Sequence, residues 1–219
     1  EINVALNTAI ELQGPVHINL PFSEPLYQVV TNFQLEPQNV PVRPFTAESL
    51  EESRFKDFMQ TWNRATKKMI LVGVLPPNSI EERYVDFLAE DPSVLVLTET
   101  TSNLHHENFI PAIDQLITAL DAEALEVLQP EVLVTFGGMV VAVIAGAIIA
   151  FLRKFQPNTH WHVDPKKAYD TFFALDFHYK NTPNGFLENV QKNAAIVTSN
   201  YQDGWLKVRE NRLIRHKLY

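Results

Sequence analysis

Four short segments carry the side chains best suited to chemistry: Pro76-Pro77-Asn78, Glu99-Thr100-Thr101-Ser102-Asn103, Gly137-Gly138 and Asp164-Pro165. Each follows an apolar run that reads as a β-strand. In an open parallel sheet, ligands bind beyond the carboxyl ends of the strands, so these loops would meet on one crest. Asn78, Ser102 and Asn103 offer amide and hydroxyl groups there. Gly137 and Gly138 allow close backbone approach, and Asp164 adds a carboxylate. Such a crest suits a nucleotide or a small anion, bound as substrate or effector. Neither GxGxxG nor GxxxxGK[ST] occurs, and polar loops end the strands of every α/β protein, so a purely structural crest is the competing reading.

Histidines offer a second possibility. His160-Trp161-His162 sets two imidazoles on one face of a strand, with Asp164 two residues on, and His105-His106-Glu107 holds an adjacent pair. Two ring nitrogens bind zinc only if a third ligand converges, and neither stretch has the HExxH helical spacing. A strand end and a polar loop account for both, so no metal site is expected. With zero cysteines, disulfides, thiolate nucleophiles and cysteine-ligated metals are excluded. The balance of 18 basic against 26 acidic side chains, a net charge of −8, argues against nucleic acid. Lys207, Arg209, Arg212, Arg215 and Lys217 form a local basic stretch, explained equally by partner docking or a solvated helix face. No catalytic constellation emerges from these residues.

The elements that must position the loops are legible as alternating strands and helices. Strands are expected over Met69–Leu75, Val94–Thr98, Val132–Phe136 and His160–Val163, with a further one over Phe172–Leu175. Runs apolar at every position suit strands covered on both faces. Helices are expected from capping boxes at Ser49–Glu52 and Ser79–Glu82, over Asn108–Leu120, from Gly138 to about Phe155, near Gly185–Ala195 and over Ser199–Leu218. Alternation of this kind implies right-handed crossovers and a three-layer α/β sandwich with a mostly parallel, doubly wound sheet. Before it lie a helix (Val4, Leu6, Ala9, Ile10), a short strand over Val16–Leu20 and a proline-rich stretch. Both ends look cut from a longer chain and no signal peptide is expected near the start, while zero cysteines and the acidic balance point to a reducing cytoplasm.

One segment invites a different reading. Val132 to Leu152 is 21 residues without a charge, long enough to span a bilayer and followed by Arg153-Lys154. A buried strand, a Gly-Gly turn and a buried helix fit the surrounding pattern better. A helix carrying Val140, Val141, Val143, Ile144, Ile148 and Ile149 has no polar face and would need covering all round.

Gly14-Pro15-Val16-His17-Ile18-Asn19-Leu20-Pro21-Phe22, Thr98-Glu99-Thr100-Thr101-Ser102-Asn103-Leu104, Leu133–Val141 and Trp161-His162-Val163-Asp164 together resemble a known family along essentially the whole chain. It is the 2-succinyl-5-enolpyruvyl-6-hydroxy-3-cyclohexene-1-carboxylate synthases of menaquinone biosynthesis. The resemblance implies a parent that uses thiamine diphosphate and Mg²⁺ to add decarboxylated 2-oxoglutarate to isochorismate, and that assembles as a homo-oligomer. It implies that residues 1–25 end a pyrimidine-binding domain, 26–45 link, and 46–219 form the Rossmann-like middle domain. The partners are then the pyrimidine and diphosphate domains of the same chain. The GDG metal motif of the diphosphate domain has no counterpart, since Asp203-Gly204-Trp205 lacks the leading glycine. The glutamate that activates the cofactor would lie upstream of Glu1. No cofactor is therefore expected on this chain, which reads as a scaffold or part of a substrate or effector site. After the third strand the family places a basic pair that holds substrate carboxylates, but Ala142–Ala150 here reads AVIAGAIIA.

Overall fold

The computed structural model describes residues 1–12, 14–23, 31–32, 39–41, 52–139 and 145–217. The chain groups into two compact units, Glu1–Thr46 and Ala47–Tyr219. In the first, helix α1 (Ile2–Leu12) leaves Ile2, Val4, Leu6 and Ile10 each more than half exposed, at 60, 59, 53 and 62 %. Among the described residues no strand forms over Val16–Leu20, where one is expected. An isolated strand has no backbone partner and no stability of its own. The proline-rich stretch and the capping box on Ser49 fall largely outside the described residues.

The second unit holds a six-stranded sheet in the order β3-β2-β1-β4-β5-β6, every pair parallel. The strands are β1 (Lys68–Val72), β2 (Val94–Leu97), β3 (Phe109–Ile110), β4 (Val132–Phe136), β5 (Thr159–Val163) and β6 (Phe177–Tyr179). β1, β2 and β4 are buried at every position, which is why their apolar runs show no alternation. Their side chains still divide by parity between two cores. Ile70, Val72, Val94, Val96, Val132, Val134 and Trp161 pack with α2 (Glu52–Trp62), α3 (Glu82–Glu90) and α7 (Pro183–Asn193). Met69, Leu71, Leu95, Leu97 and Leu133 pack with α4 (Ile113–Ile117), α5 (Ala122–Leu128), α6 (Ala145–Lys154) and α8 (Tyr201–Lys217). The result is the three-layer, doubly wound Rossmann-like sandwich.

Three local expectations are corrected. The helix expected over Asn108–Leu120 is instead the edge strand β3 followed by short α4. Pro111 disfavours helical backbone at Ile110, and Phe109 and Ile110 pair with Val96 and Leu97 instead. The strand expected over Phe172–Leu175 lies later, at Phe177–Tyr179. Phe173 adopts φ +57°, outside strand geometry, while Asp170 Oδ1 accepts from the Ala174 and Leu175 amides. The capping box at Ser79–Glu82 does not form. Glu81 caps α3 without a side-chain bond, and the Ser79 carbonyl accepts from Asn184 Nδ2.

The long apolar run is not one helix. It divides into β4 and α6, with residues 140–144 outside the described set. Among the described residues no helix is long and apolar enough to cross a membrane. α6 buries Ile148, Phe151 and Leu152 and turns Gly146, Ala150, Arg153 and Lys154 outward, so its described part has a solvent face made of small and basic residues.

Candidate functional site

The order 3-2-1-4-5-6 puts the topological switch between β1 and β4, where the crossovers leave on opposite faces of the sheet. Glycine governs the geometry at that point. The Gly73 amide donates to the Phe136 carbonyl at 2.9 Å, and the Gly138 amide donates to the Val74 carbonyl at 2.7 Å. A β-carbon on Gly73 would stand 1.9 Å from the Gly138 oxygen. Gly137 takes φ +83°, a conformation glycine adopts without strain. Both glycines of the β4 loop thus lie against the backbone of the β1 loop.

Ser102 and Asn103 join the same cluster from the β2 side. Fully buried Ser102 donates its hydroxyl to the Val72 carbonyl at 2.8 Å and accepts from the Glu99 amide at 2.9 Å. Asn103, at φ +48°, donates from Nδ2 to the Leu75 carbonyl at 2.8 Å. Ser102, Asn103, Gly137 and Gly138 therefore converge on residues 72–75. Asn78 stands apart in an exposed turn at φ +57°. Asp164 lies one strand further along, beyond β5, where its Oδ1 accepts from the Lys166 and Lys167 amides at 2.7 and 2.9 Å.

On the α6 face, β4 and β5 assemble a polar row inside the sheet. Register sets Thr135 opposite His162, and the alternation of β5 puts His160 on the same face. The Thr135 hydroxyl bridges the two imidazoles, 2.9 Å from His160 Nε2 and 2.8 Å from His162 Nδ1. One hydroxyl donates once, so one ring must donate to it and the other must accept from it. Burial, with a smaller contribution from neighbouring His162, pushes His160 down to about 4. Burial also lowers His162, against the pull of Asp164. Both rings are neutral near pH ~7, the reference histidine value being about 6.5. Next in the row, His178 donates from Nε2 to the Asp164 carbonyl at 2.7 Å. No group of three possible metal ligands converges among the described residues.

A second buried polar node lies at the opposite end of the sheet. Lys68 Nζ donates to Asp91 Oδ2 at 3.2 Å and to Ser93 Oγ at 2.7 Å, with all three residues buried. Gln202 of α8 closes this end by donating from Nε2 to the Val94 carbonyl at 2.9 Å. Sequence reasoning passed over Thr135, Lys68 and the Lys166-Lys167 pair. Only the lysine pair, following Asp-Pro at a strand end, carried a readable signal.

No family model matches the chain. Relatives do. A 2-succinyl-5-enolpyruvyl-6-hydroxy-3-cyclohexene-1-carboxylate synthase of Flavobacterium johnsoniae is 45 % identical over 220 residues, covering the whole chain and 39 % of the relative. The chain is homologous to a segment of these synthases. The enzyme of the same name from Christiangramia forsetii is 48 % identical over 181 residues, 80 % of this chain and 31 % of the relative. That of Flavobacterium psychrophilum is 40 % identical over 219 residues, the whole chain and 39 % of the relative. The chain thus spans about two fifths of the length of the curated relatives that match it end to end.

Thiamine diphosphate and Mg²⁺ are what the family implies, and among the described residues Asp203-Gly204-Trp205 is the stretch to test against the metal. Asp203-Gly204-Trp205, the nearest approach to a metal motif, is helical. The Gly204 amide donates to the Asn200 carbonyl, and Asp203 pairs with Lys207 four residues on, at 2.6 Å. An exposed helical ion pair does not present a carboxylate to a diphosphate-bound cation.

Proposed function

We propose that this chain supplies the middle domain, preceded by the end of a pyrimidine-binding domain, of a cytoplasmic homo-oligomeric synthase. The parent would add the decarboxylated 2-oxoglutarate unit to isochorismate in menaquinone biosynthesis, using thiamine diphosphate and Mg²⁺ held by its other domains. The observation that carries this reading is similarity along the whole chain, at 45 and 40 % identity, to segments making up 39 % of two such synthases. Exposed Ile2, Leu6, Ile10 and Phe22 in the first unit agree with a surface covered by the rest of a larger domain. Residues 1–25, 26–45 and 46–219 then divide as remnant, linker and middle domain.

The contribution of this chain is positioning. Ser102, Asn103 and Asp164 direct hydrogen-bonding groups to backbone, which supports a role in fixing the crest loops. Isochorismate and 2-oxoglutarate should be consumed by the full-length protein that contains this chain, in the presence of both cofactors. The chain by itself should neither turn over nor bind thiamine diphosphate in the micromolar range by calorimetry. Absence of activity in the full-length protein would overturn the reading, and micromolar cofactor binding by the chain alone would overturn the scaffold role.

A further inference from the structure

We propose that the chain associates with a second copy of itself by seating the acidic face of α5 against the basic second half of α8. The receiving surface is a hollow at the β3 edge of the sheet. Ile110, Pro111, Leu116 and Leu213 line it with apolar atoms, and Arg209 and Arg212 complete its wall. Arg209 donates from Nη1 to the Glu107 and Phe109 carbonyls, at 2.6 and 2.7 Å, which caps the outer edge of β3 and fixes the guanidinium. The Nε atoms of Arg209 and Arg212 have no hydrogen-bond partner. Among the described residues no salt bridge joins either arginine to a carboxylate. Beside them Leu213 and Ile214 stay 46 and 53 % exposed.

Helix α5 carries the complementary pattern. Glu123, Glu126 and Val127 are exposed, Val127 at 56 %, and no described residue forms a salt bridge with either glutamate. Residues three and four apart share a helix face, so these three form one patch. Arg209, Arg212 and Leu213 repeat that spacing on α8 with the sign of the charge reversed. In both sets the two charges are separated by about 4.5 Å of helix rise. Each patch is thus an aliphatic side chain beside two like charges, and each is the counterpart of the other.

Charge favours a second copy as the occupant. A net charge of −8 repels identical chains, so their contact needs a local reversal of sign, and the second half of α8 supplies it. Within one chain no salt bridge joins the two patches, which leaves each for another molecule. Val127 seated in the hollow buries its side chain against Ile110, Pro111, Leu116 and Leu213, while Glu123 and Glu126 meet the guanidiniums. The apolar contact supplies area and the charges set the register. The proposal deepens the homo-oligomer reading by naming a surface. Its test uses this chain alone, so failure leaves the activity test of the full-length protein standing.

Sedimentation of the chain up to about 1 mM at low ionic strength should show a mass rising from one chain toward two, a rise that roughly 0.5 M salt suppresses. R212E and the E123K/E126K double variant should each associate roughly tenfold more weakly. An equal mixture of these two variants keeps one unaltered pairing, the arginines of one against the glutamates of the other. It should associate more tightly than either variant alone. K192E makes the same charge change as R212E but on α7, across the sheet, and should associate as the unaltered chain does. A chain that stays single at about 1 mM, association unchanged in either variant, or a mixture no tighter than its components would each overturn the proposal.

Discussion

Gly73 and Gly138 meet backbone to backbone at the topological switch of the sheet, so closely that a β-carbon on Gly73 would lie 1.9 Å from the Gly138 oxygen. That contact lies between the β1 and β4 loops, where folds of this strand order place a dinucleotide. The Gly-Gly pair, which in sequence resembles a ligand-approach device, is here occupied by another stretch of chain.

Gly73→Ala should therefore cost stability, since the obstructing atom is backbone and cannot rotate away. Overpacking of about 1–3 kcal/mol would lower the melting temperature by roughly 2–12 °C in a domain of this size. Gly146→Ala is the control, because nothing lies within 4 Å of its added β-carbon. It should be neutral or stabilising by up to about 1 kcal/mol. Equal melting temperatures for the Gly73 variant and the unaltered chain would contradict the packing described.

His160 makes stability pH-dependent in a defined direction. Its pKa is about 4 in the folded chain, lowered first by burial, against about 6.5 when unfolded. Between those values the unfolded chain binds the proton and the folded chain does not. Stability should therefore fall as pH drops through about 6.5, with the loss complete below about 4 and on the order of 3 kcal/mol. His162, lowered in the same sense by burial, steepens the fall. Urea midpoints measured across this range should flatten in His160→Gln, and an unchanged slope would exclude His160 as the source.

Thr135→Val should strand both imidazole nitrogens that now meet its hydroxyl. Each unsatisfied buried group costs about 1–3 kcal/mol, while Thr135→Ser keeps the hydroxyl and should lose far less. Ring nitrogen resonances of His160 and His162 should shift together in the valine variant. A shift in one ring only would show that the hydroxyl does not couple them.

Lys68→Met removes one member of a buried pair and leaves Asp91 with its Ser93 amide bond at 2.9 Å. Loss of one partner from such a pair costs about 3–5 kcal/mol, whereas apolar replacement of both is often close to neutral. The Lys68→Met, Asp91→Leu double variant should accordingly unfold at higher denaturant than the single one. A double variant weaker than the single would mean that Asp91 carries its own structural load through Ser93.

Much of the sheet is legible in the sequence because β1, β2 and β4 are covered on both faces and so appear as unbroken apolar runs. β3 is not legible in that way. Phe109 and Ile110 have the spacing of a helix face with Ile113, Leu116 and Ile117, and only pairing with β2 draws them into the sheet. Of the candidate site, the crest placement of Ser102, Asn103, Gly137, Gly138 and Asp164 follows from strand ends alone. What their polar groups bind does not, because each partner lies in a different loop.

By itself, the sequence determined the alternation of strands and helices, the absence of thiol chemistry and the likeness to one family, since these depend on composition, short-range periodicity and residue order. Tertiary structure decided the rest. Register alone brought Thr135 between His160 and His162. The switch from one crossover face to the other set Gly73 against Gly138. The Asp164 turn left Lys166 and Lys167 without carboxylate partners among the described residues. Hydrogen bonds and close contacts join residues distant in the chain, and no local pattern encodes which distant group will occupy a donor, an acceptor or the space beside a glycine.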